Sequence, residues 1–270
     1  MNKILISGAG SGLGRALALR YAREGAQVCV SDMSKEGGEE TVKLIEDAGG
    51  EAFFMLCDIT KQWDVDKLSL QLAERWSSLD LLVNNAGVAT AGMLEFESME
   101  QWQWVLDINV LGHVRMTKAF LPLLRASKAP NKSVVNIASQ AGLTPAPGMG
   151  SYSVSKAAMI SYSETAYLEL AHDGIHVSVV CPAFFNTNLN TSLRGDQAGM
   201  NETVSKLINK SGVTADTIAE QIFNQVADRK FMLITHKDGR SAYRLKRFLS
   251  MDRYLKIMKK RTKKFIRSDD

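Results

Sequence analysis

The stretch KILISGAGSGLGRALALRYAREG, residues 3–25, decides the fold. Its first five residues are short and mostly apolar, as a buried strand requires, and its last twelve carry helical spacing. Between them Gly8, Gly12 and Gly14, with Ser11 and Leu13, make a glycine-rich turn. Glycines let the backbone bend tightly and approach a bulky anion closely. The helix that follows offers free N–H groups and the positive end of its dipole. A turn of this kind between a strand and a helix, at the head of an alternating chain, predicts nucleotide binding through a diphosphate.

The alternation runs on from there. KILIS, AQVCVSD, EAFFMLCD, LDLLVNN, SVVNIAS, IHVSVVCP and KFMLITH read as buried strands. Helical stretches separate them, among them VDKLSLQLAERW, the long MEQWQWVLDINVLGHVRMTKAFLPLL and YSVSKAAMISYSETAYLELAHD. Strand then helix, repeated, predicts an α/β fold: a doubly wound parallel sheet of about seven strands, covered on both faces, in a single domain. Residues 1–236 are assigned to it as the dinucleotide-binding and catalytic domain, and 237–270 to a basic amphipathic helical extension. The polar, weakly periodic residues 184–212 stand apart and are expected to form a lid.

Composition narrows the function classes. With 45% apolar and 23% charged residues, the 270-residue chain is globular. No apolar run reaches the roughly 20 residues that span a bilayer, and the start is read as a strand rather than a signal peptide. Cys29, Cys57 and Cys181 are odd in number and lie in apolar stretches, which suits buried thiols in the cytoplasm. The four histidines lack metal-ligand spacing, so no metal is expected. Charge is uneven: from Lys237 onward 13 Lys and Arg face 4 Asp and Glu, whereas the residues before hold 20 against 25. The basic character belongs to the tail, and nucleic acid is not an expected partner.

SYSVSK, residues 151–156, places Tyr152 and Lys156 one helical turn apart on one face. A free phenol titrates near 10, and a neighbouring ammonium favours its ionised form. Such a tyrosine can take or return a proton.

Other segments fall into line with this pair: LVNNAG at 82–87, DINVLG at 107–112, VVNIASQAG at 134–142 and CPAFFNTNL at 181–189. Together with the Gly8, Gly12, Gly14 spacing they resemble the short-chain dehydrogenase/reductase family, over residues 3 to 235, and the resemblance implies a Rossmann fold. It implies a catalytic set of Asn109, Ser139, Tyr152 and Lys156, with Ser139 thirteen positions before the tyrosine. Ser139 would hold the substrate oxygen, Lys156 would also bind the nicotinamide ribose, and Asn109 would keep an ordered water in the proton path. For the cofactor the resemblance implies Gly8, Ser11, Gly12, Leu13 and Gly14 in the glycine turn, Asp58 and Ile59 beside the adenine, and Asn85, Ala86 and Gly87 along the dinucleotide. Tyr152, Lys156, Pro182 and Thr187 complete that set, Thr187 on the carboxamide. The sequence departs from the family at Ala183, where glycine is usual.

Asp32 ends the second strand, where an acidic side chain accepts from the adenosine ribose and repels a 2′-phosphate. Met33 and Ser11 occupy positions that are often basic in family members using the phosphorylated cofactor, so NAD is favoured over NADP, with Arg15 and Lys35 the nearby cations. The expected reaction is hydride transfer between NAD(P) and a secondary alcohol or ketone. Gln140, Ala141, Met149, Phe184, Phe185, Leu193 and Met200, mostly apolar, are expected to face a hydrophobic substrate, with Arg194 the loop's cation.

The tail repeats Leu245, Phe248, Met251, Leu255 and Met258 at helical spacing, amid Arg247, Arg253, Lys256, Lys260 and Lys264. Such a stripe packs on its own domain or a second subunit, or lies on an anionic membrane surface. A homodimer or homotetramer is implied by the resemblance. The alternatives are a non-catalytic nucleotide sensor or scaffold, and an NADPH-dependent carbonyl reductase attached to a membrane by its tail.

Overall fold

The computed structural model describes residues 2–183, 185 and 212–266. Seven strands form one sheet: β1 (Lys3–Ser7), β2 (Gln27–Asp32), β3 (Glu51–Leu56), β4 (Leu81–Asn84), β5 (Ser133–Ile137), β6 (His176–Cys181) and β7 (Met232–Ile234). Their order is β3-β2-β1-β4-β5-β6-β7, and every pairing is parallel. The chain winds outward from β1 to β3, returns to β4 and winds the other way, which is the doubly wound sheet expected.

Parallel strands need crossovers, and here these are helices that cover both faces. Helices α1 (Gly12–Ala22) and α2 (Lys35–Asp47) follow β1 and β2, and α3 (Gln62–Arg75) follows β3. After β4 come α4 (Met99–Leu106) and α5 (His113–Ala126), then α6 (Gln140–Leu143) and α7 (Gly150–Leu170) after β5. Helix α8 (Ala215–Ala227) precedes β7, and α9 (Lys237–Phe248) and α10 (Met251–Ile266) follow it. The period-2 pleat divides β1 between two cores. Ile4 and Ile6 pack with Leu17, Ile218 and Ile222, while Leu5 packs with Leu72, Met116 and Phe120 on the other face.

Three expectations need correction. The long helix predicted over residues 99–124 is interrupted by a π-helical turn, Asp107–Gly112, which carries Asn109. Strand β3 is only partly buried because it forms one edge of the sheet. The tail, expected as one amphipathic helix, is two helices joined at Leu249 and Ser250; of its apolar stripe Phe248, Met251 and Leu255 are exposed and Leu245 and Met258 half-buried, whereas Tyr254 and Thr262 are buried. A 3.6-residue pattern cannot say which of two overlapping faces meets the domain. Most of the segment expected to be a lid lies outside the described residues, as do Thr187, Phe184, Leu193, Arg194 and Met200. No helix among the described residues is long and apolar enough to cross a membrane.

Helix α1 lies against the turn before it. Gly8 has φ +66°, and a Cβ there would stand 2.7 Å from the Ala86 Cα, while a Cβ on Gly14 would overlap the Gly8 carbonyl oxygen. Gly14→Ala is expected to push α1 off the turn and lower the unfolding free energy by roughly 1–3 kcal/mol. Urea melting checks this; wild-type stability would mean that the turn relaxes freely.

Candidate active site

Because β1 and β4 are neighbours but their crossovers leave in opposite directions, a crevice opens at their carboxyl ends. A cleft of about 840 Å³ lies there. Gly8, Ser11, Gly12, Leu13, Asp32, Asp58, Ile59, Asn85, Ala86 and Gly87 line one part of it. Ser139, Tyr152, Lys156 and Pro182 line the other. Of the remaining predicted residues, Gly14 and Asn109 stand behind the wall, and Thr187 is not among the described residues.

The glycine turn is shaped for an anion. Ser11 occupies the N-cap of α1 but its hydroxyl caps none of the first N–H groups, so these remain to meet a ligand. Asn85 fastens the turn to β4 by donating to the carbonyls of Ser7 at 3.0 Å and Gly8 at 2.9 Å. The Asp32 carboxylate accepts from the amides of Gly10 at 2.8 Å and Ser34 at 2.9 Å, which fixes it at the edge of the cleft. Arg15 turns away. Its guanidinium donates to the Gly10 carbonyl at 2.6 Å and pairs with Glu40 at 2.5 Å. Lys35 is 3.8 Å from Glu39. These donors, the uncapped helix end and the carboxylate fit a dinucleotide.

Across the cleft, Ser139 ends its strand segment as the N-cap of α6. Its Oγ accepts from the Ala141 amide at 3.1 Å and donates to the Pro182 carbonyl at 3.4 Å. Tyr152 and Lys156 share a face of α7, with the Lys156 Nζ 5.8 Å from the tyrosine ring centre and 3.0 Å from the Ile137 carbonyl that it serves as donor. Asn109 joins the two sides. Its amide nitrogen donates to the Val88 carbonyl and to Ser155 Oγ, both at 3.0 Å, and its Oδ1 accepts from the Val88 amide at 2.9 Å. The extra residue of the π-helical turn aims this side chain inward, a common use of such turns.

A family model for short chain dehydrogenase matches residues 2–198. The CLA biosynthesis dehydrogenase/reductase of Lactiplantibacillus plantarum is 31% identical over 252 residues, 87% of this chain and 88% of that protein. A short chain dehydrogenase/reductase of Burkholderia phymatum, solved in complex with NAD, superposes with a TM-score of 0.85 at 30% identity, over 91% of this chain and 93% of that one. The 3-ketoacyl-(acyl-carrier-protein) reductase of Brucella melitensis, complexed with NADH, has a TM-score of 0.76 at 28% identity, over 87% and 96%. The chain belongs to the short-chain dehydrogenase family. It is an oxidoreductase acting on CH–OH groups.

In this short-chain dehydrogenase the electrostatics of the Tyr–Lys pair differ from the expectation. Burial drives the Tyr152 phenol up from its usual value near 10; a hydrogen bond with Ser139 pulls the other way, and the Cys181 thiol adds to the rise. The Lys156 ammonium, engaged with the Ile137 carbonyl, does not offset that rise. Burial also pulls Lys156 down to about 8, with Cys181 opposing. Desolvation outweighs the pairwise attraction that the spacing suggested. In the protein alone, burial therefore favours the neutral phenol at Tyr152.

Several contributors had escaped the sequence. His113, buried, meets the Ala86 carbonyl through Nε2 at 2.7 Å, and burial followed by Lys156 repulsion holds its pKa at about 3. Ser155 donates to the Tyr152 carbonyl at 2.7 Å. Its place in SYSVSK was a readable signal. Trp104, at the α4 end of the cleft, and Glu97, buried away from its lining, carry no local signal.

The burial of Lys156 has a stability consequence. Below pH 8 the folded and unfolded chains both hold the ammonium proton, so the full desolvation cost applies; between 8 and 10.5 the folded lysine has lost its proton first, and the cost fades. Lys156→Met is expected to raise stability at pH 7 by on the order of 1–3 kcal/mol, the lost Ile137 bond offsetting part. The gain should shrink towards pH 10.5. Urea melting across this range checks it, and a pH-independent change would contradict the burial account.

Proposed function

We propose that this dehydrogenase transfers hydride between NAD and a hydrophobic secondary alcohol or ketone, with Tyr152 as the proton donor and acceptor. The observation that carries this reading is that Ser139, Tyr152 and Lys156 line the same cleft as the glycine turn and Asp32. The N–H groups at the start of α1 would hold the diphosphate, Asp32 the adenosine ribose, and Lys156 the nicotinamide ribose. Asp58 and Ile59 would border the adenine, and Asn85, Ala86 and Gly87 the middle of the dinucleotide. The bound cofactor supplies the hydride acceptor or donor. Ser139 holds the substrate oxygen by a hydrogen bond. Tyr152 gives that oxygen its proton in reduction and removes it in oxidation, and a positive charge brought into the cleft lowers its pKa for the latter task.

NAD over NADP is supported by the engagement of the nearby cations: Arg15 with Glu40 and Gly10, Lys35 with Glu39. It is also in keeping with the NAD and NADH complexes of the Burkholderia and Brucella relatives. A hydrophobic substrate is supported by the wall beyond Ser139, where Trp104, Ala141, Ala146, Met149 and Phe185 stand and Lys156 is the one Lys or Arg among the described lining residues. Exposed Leu111 on the π-helical turn and exposed Val154 and Leu168 on α7 support assembly into a homo-oligomer.

Parallel fluorescence titrations with NADH and NADPH, on wild type and Tyr152→Phe, test this reading. Tighter NADH binding in both proteins, with turnover of hydrophobic ketones lost at least 100-fold in the variant, is the expected result. Equal turnover in the two proteins would overturn the role given to Tyr152, and NADH binding with no turnover in either would leave the sensor or scaffold reading standing.

A second reading adds attachment to an anionic membrane surface, favoured by the corner between α9 and α10. There Phe248 is 87% exposed, with exposed Met251 and Leu255 beside it and exposed Arg247, Arg253 and Lys256 around them. Full-length protein should float with phosphatidylglycerol vesicles at low salt and Phe248→Glu/Leu255→Glu should not. Absence of flotation by the wild type sinks this reading.

A further inference from the structure

Helix α7 presents Tyr152 in its first turn, yet it begins without a cap of its own. The N-cap position is Met149, which has no oxygen to offer the leading N–H groups. The missing acceptor comes from 54 residues away. Glu97, on the loop between β4 and α4, accepts from the Ser151 amide through Oε2 at 2.9 Å and from the Ser151 hydroxyl through Oε1 at 2.7 Å. Thr90 Oγ1 lies 2.7 Å from the same hydroxyl, so with Ser151 donating to Glu97, Thr90 donates to Ser151.

The cluster has the marks of a built junction. Glu97 is only 8% exposed, although a carboxylate is taken out of water only where its oxygens are well partnered. A Cβ on Gly150 would stand 2.8 Å from Glu97 Oε2, so glycine leaves room for the cap. The Gly92 amide donates to the Gly148 carbonyl at 3.0 Å, which ties the same loop to the residues before α7. A negative side chain at a helix N-terminus also meets the positive end of the dipole.

We propose that Glu97 is a positioning residue for proton transfer: it caps α7 in trans and thereby sets the helical turn that carries Tyr152. Glu97 does not line the cleft, so it acts through Ser151 rather than on substrate. The proposal rests on the assignment of Tyr152, and its test separates the two.

The test compares wild type, Glu97→Ala, Glu97→Gln and Glu97→Asp by hydrogen exchange of the peptide spanning the start of α7, and by steady-state turnover with NADH and the best of a panel of aliphatic and aromatic ketones. Glu97→Ala should speed exchange of that peptide at least 10-fold and lower kcat at least 10-fold, with KM for NADH within 2-fold of wild type. Glu97→Gln should recover most of both, because its carbonyl accepts from the Ser151 amide while its NH2 donates to the hydroxyl. Should Glu97→Ala fail to fold, Glu97→Asp carries the same expectation for kcat, since one methylene less withdraws the cap. Unchanged exchange at the start of α7, unchanged kcat, or a loss of NADH affinity as large as the loss of kcat would each overturn the proposal. Exchange needs no substrate, so it judges the cap even if Tyr152→Phe turns over normally and the tyrosine assignment falls.

Discussion

Strand β1 sits between β2 and β4, and its carboxyl end is where the chain's two windings part. Neither neighbouring crossover can cover that end, because one helix leaves to each side. The crevice that results receives the Gly8–Gly14 turn from β1 and Asn85–Gly87 from β4, with β2 delivering Asp32 and β5 delivering Ser139. Its closeness depends on absent side chains. Helix α1 approaches the Gly8 carbonyl as near as it does because Gly14 has no Cβ. Asn85 then ties the turn to β4 through two backbone oxygens, so the turn keeps its shape without a ligand.

The same burial that stabilises the sheet governs the chemistry on its rim. Tyr152, Lys156 and His113 are all deeply buried, and in each the charged form is disfavoured: the phenol rises, the lysine falls to about 8 and the imidazole to about 3. A low-dielectric pocket of this kind amplifies any charge that enters it. Burying Lys156 carries a stability cost, of the kind often met where stability is traded for function. The helix bearing the pair is held from both ends of its first turns, by Glu97 on Ser151 and by Asn109 on Ser155.

Much of this was legible in the chain because it rests on local rules. Alternating short apolar runs and helical periods specify a parallel sheet with two covered faces, and the glycine turn names the end of β1 at which a ligand fits. The spacing in SYSVSK puts Tyr152 and Lys156 on one face whatever the surroundings. Burial at a helix surface is different, since it depends on what arrives from elsewhere. The tail stripe was visible as periodicity, but which of its faces meets the domain is set by contacts such as Lys246 to the Leu143 carbonyl, 103 residues apart.

The sequence by itself determined the fold class, the family and the segments that meet at the cleft, because backbone conformation and covalent spacing are written locally. Tertiary structure alone decided the directions in which burial moves Tyr152 and Lys156, the engagement of Arg15 with Glu40, the π-helical aim of Asn109 and the cap that Glu97 places on α7. Each of these is a balance of desolvation against partners distant in sequence, and no local pattern encodes it.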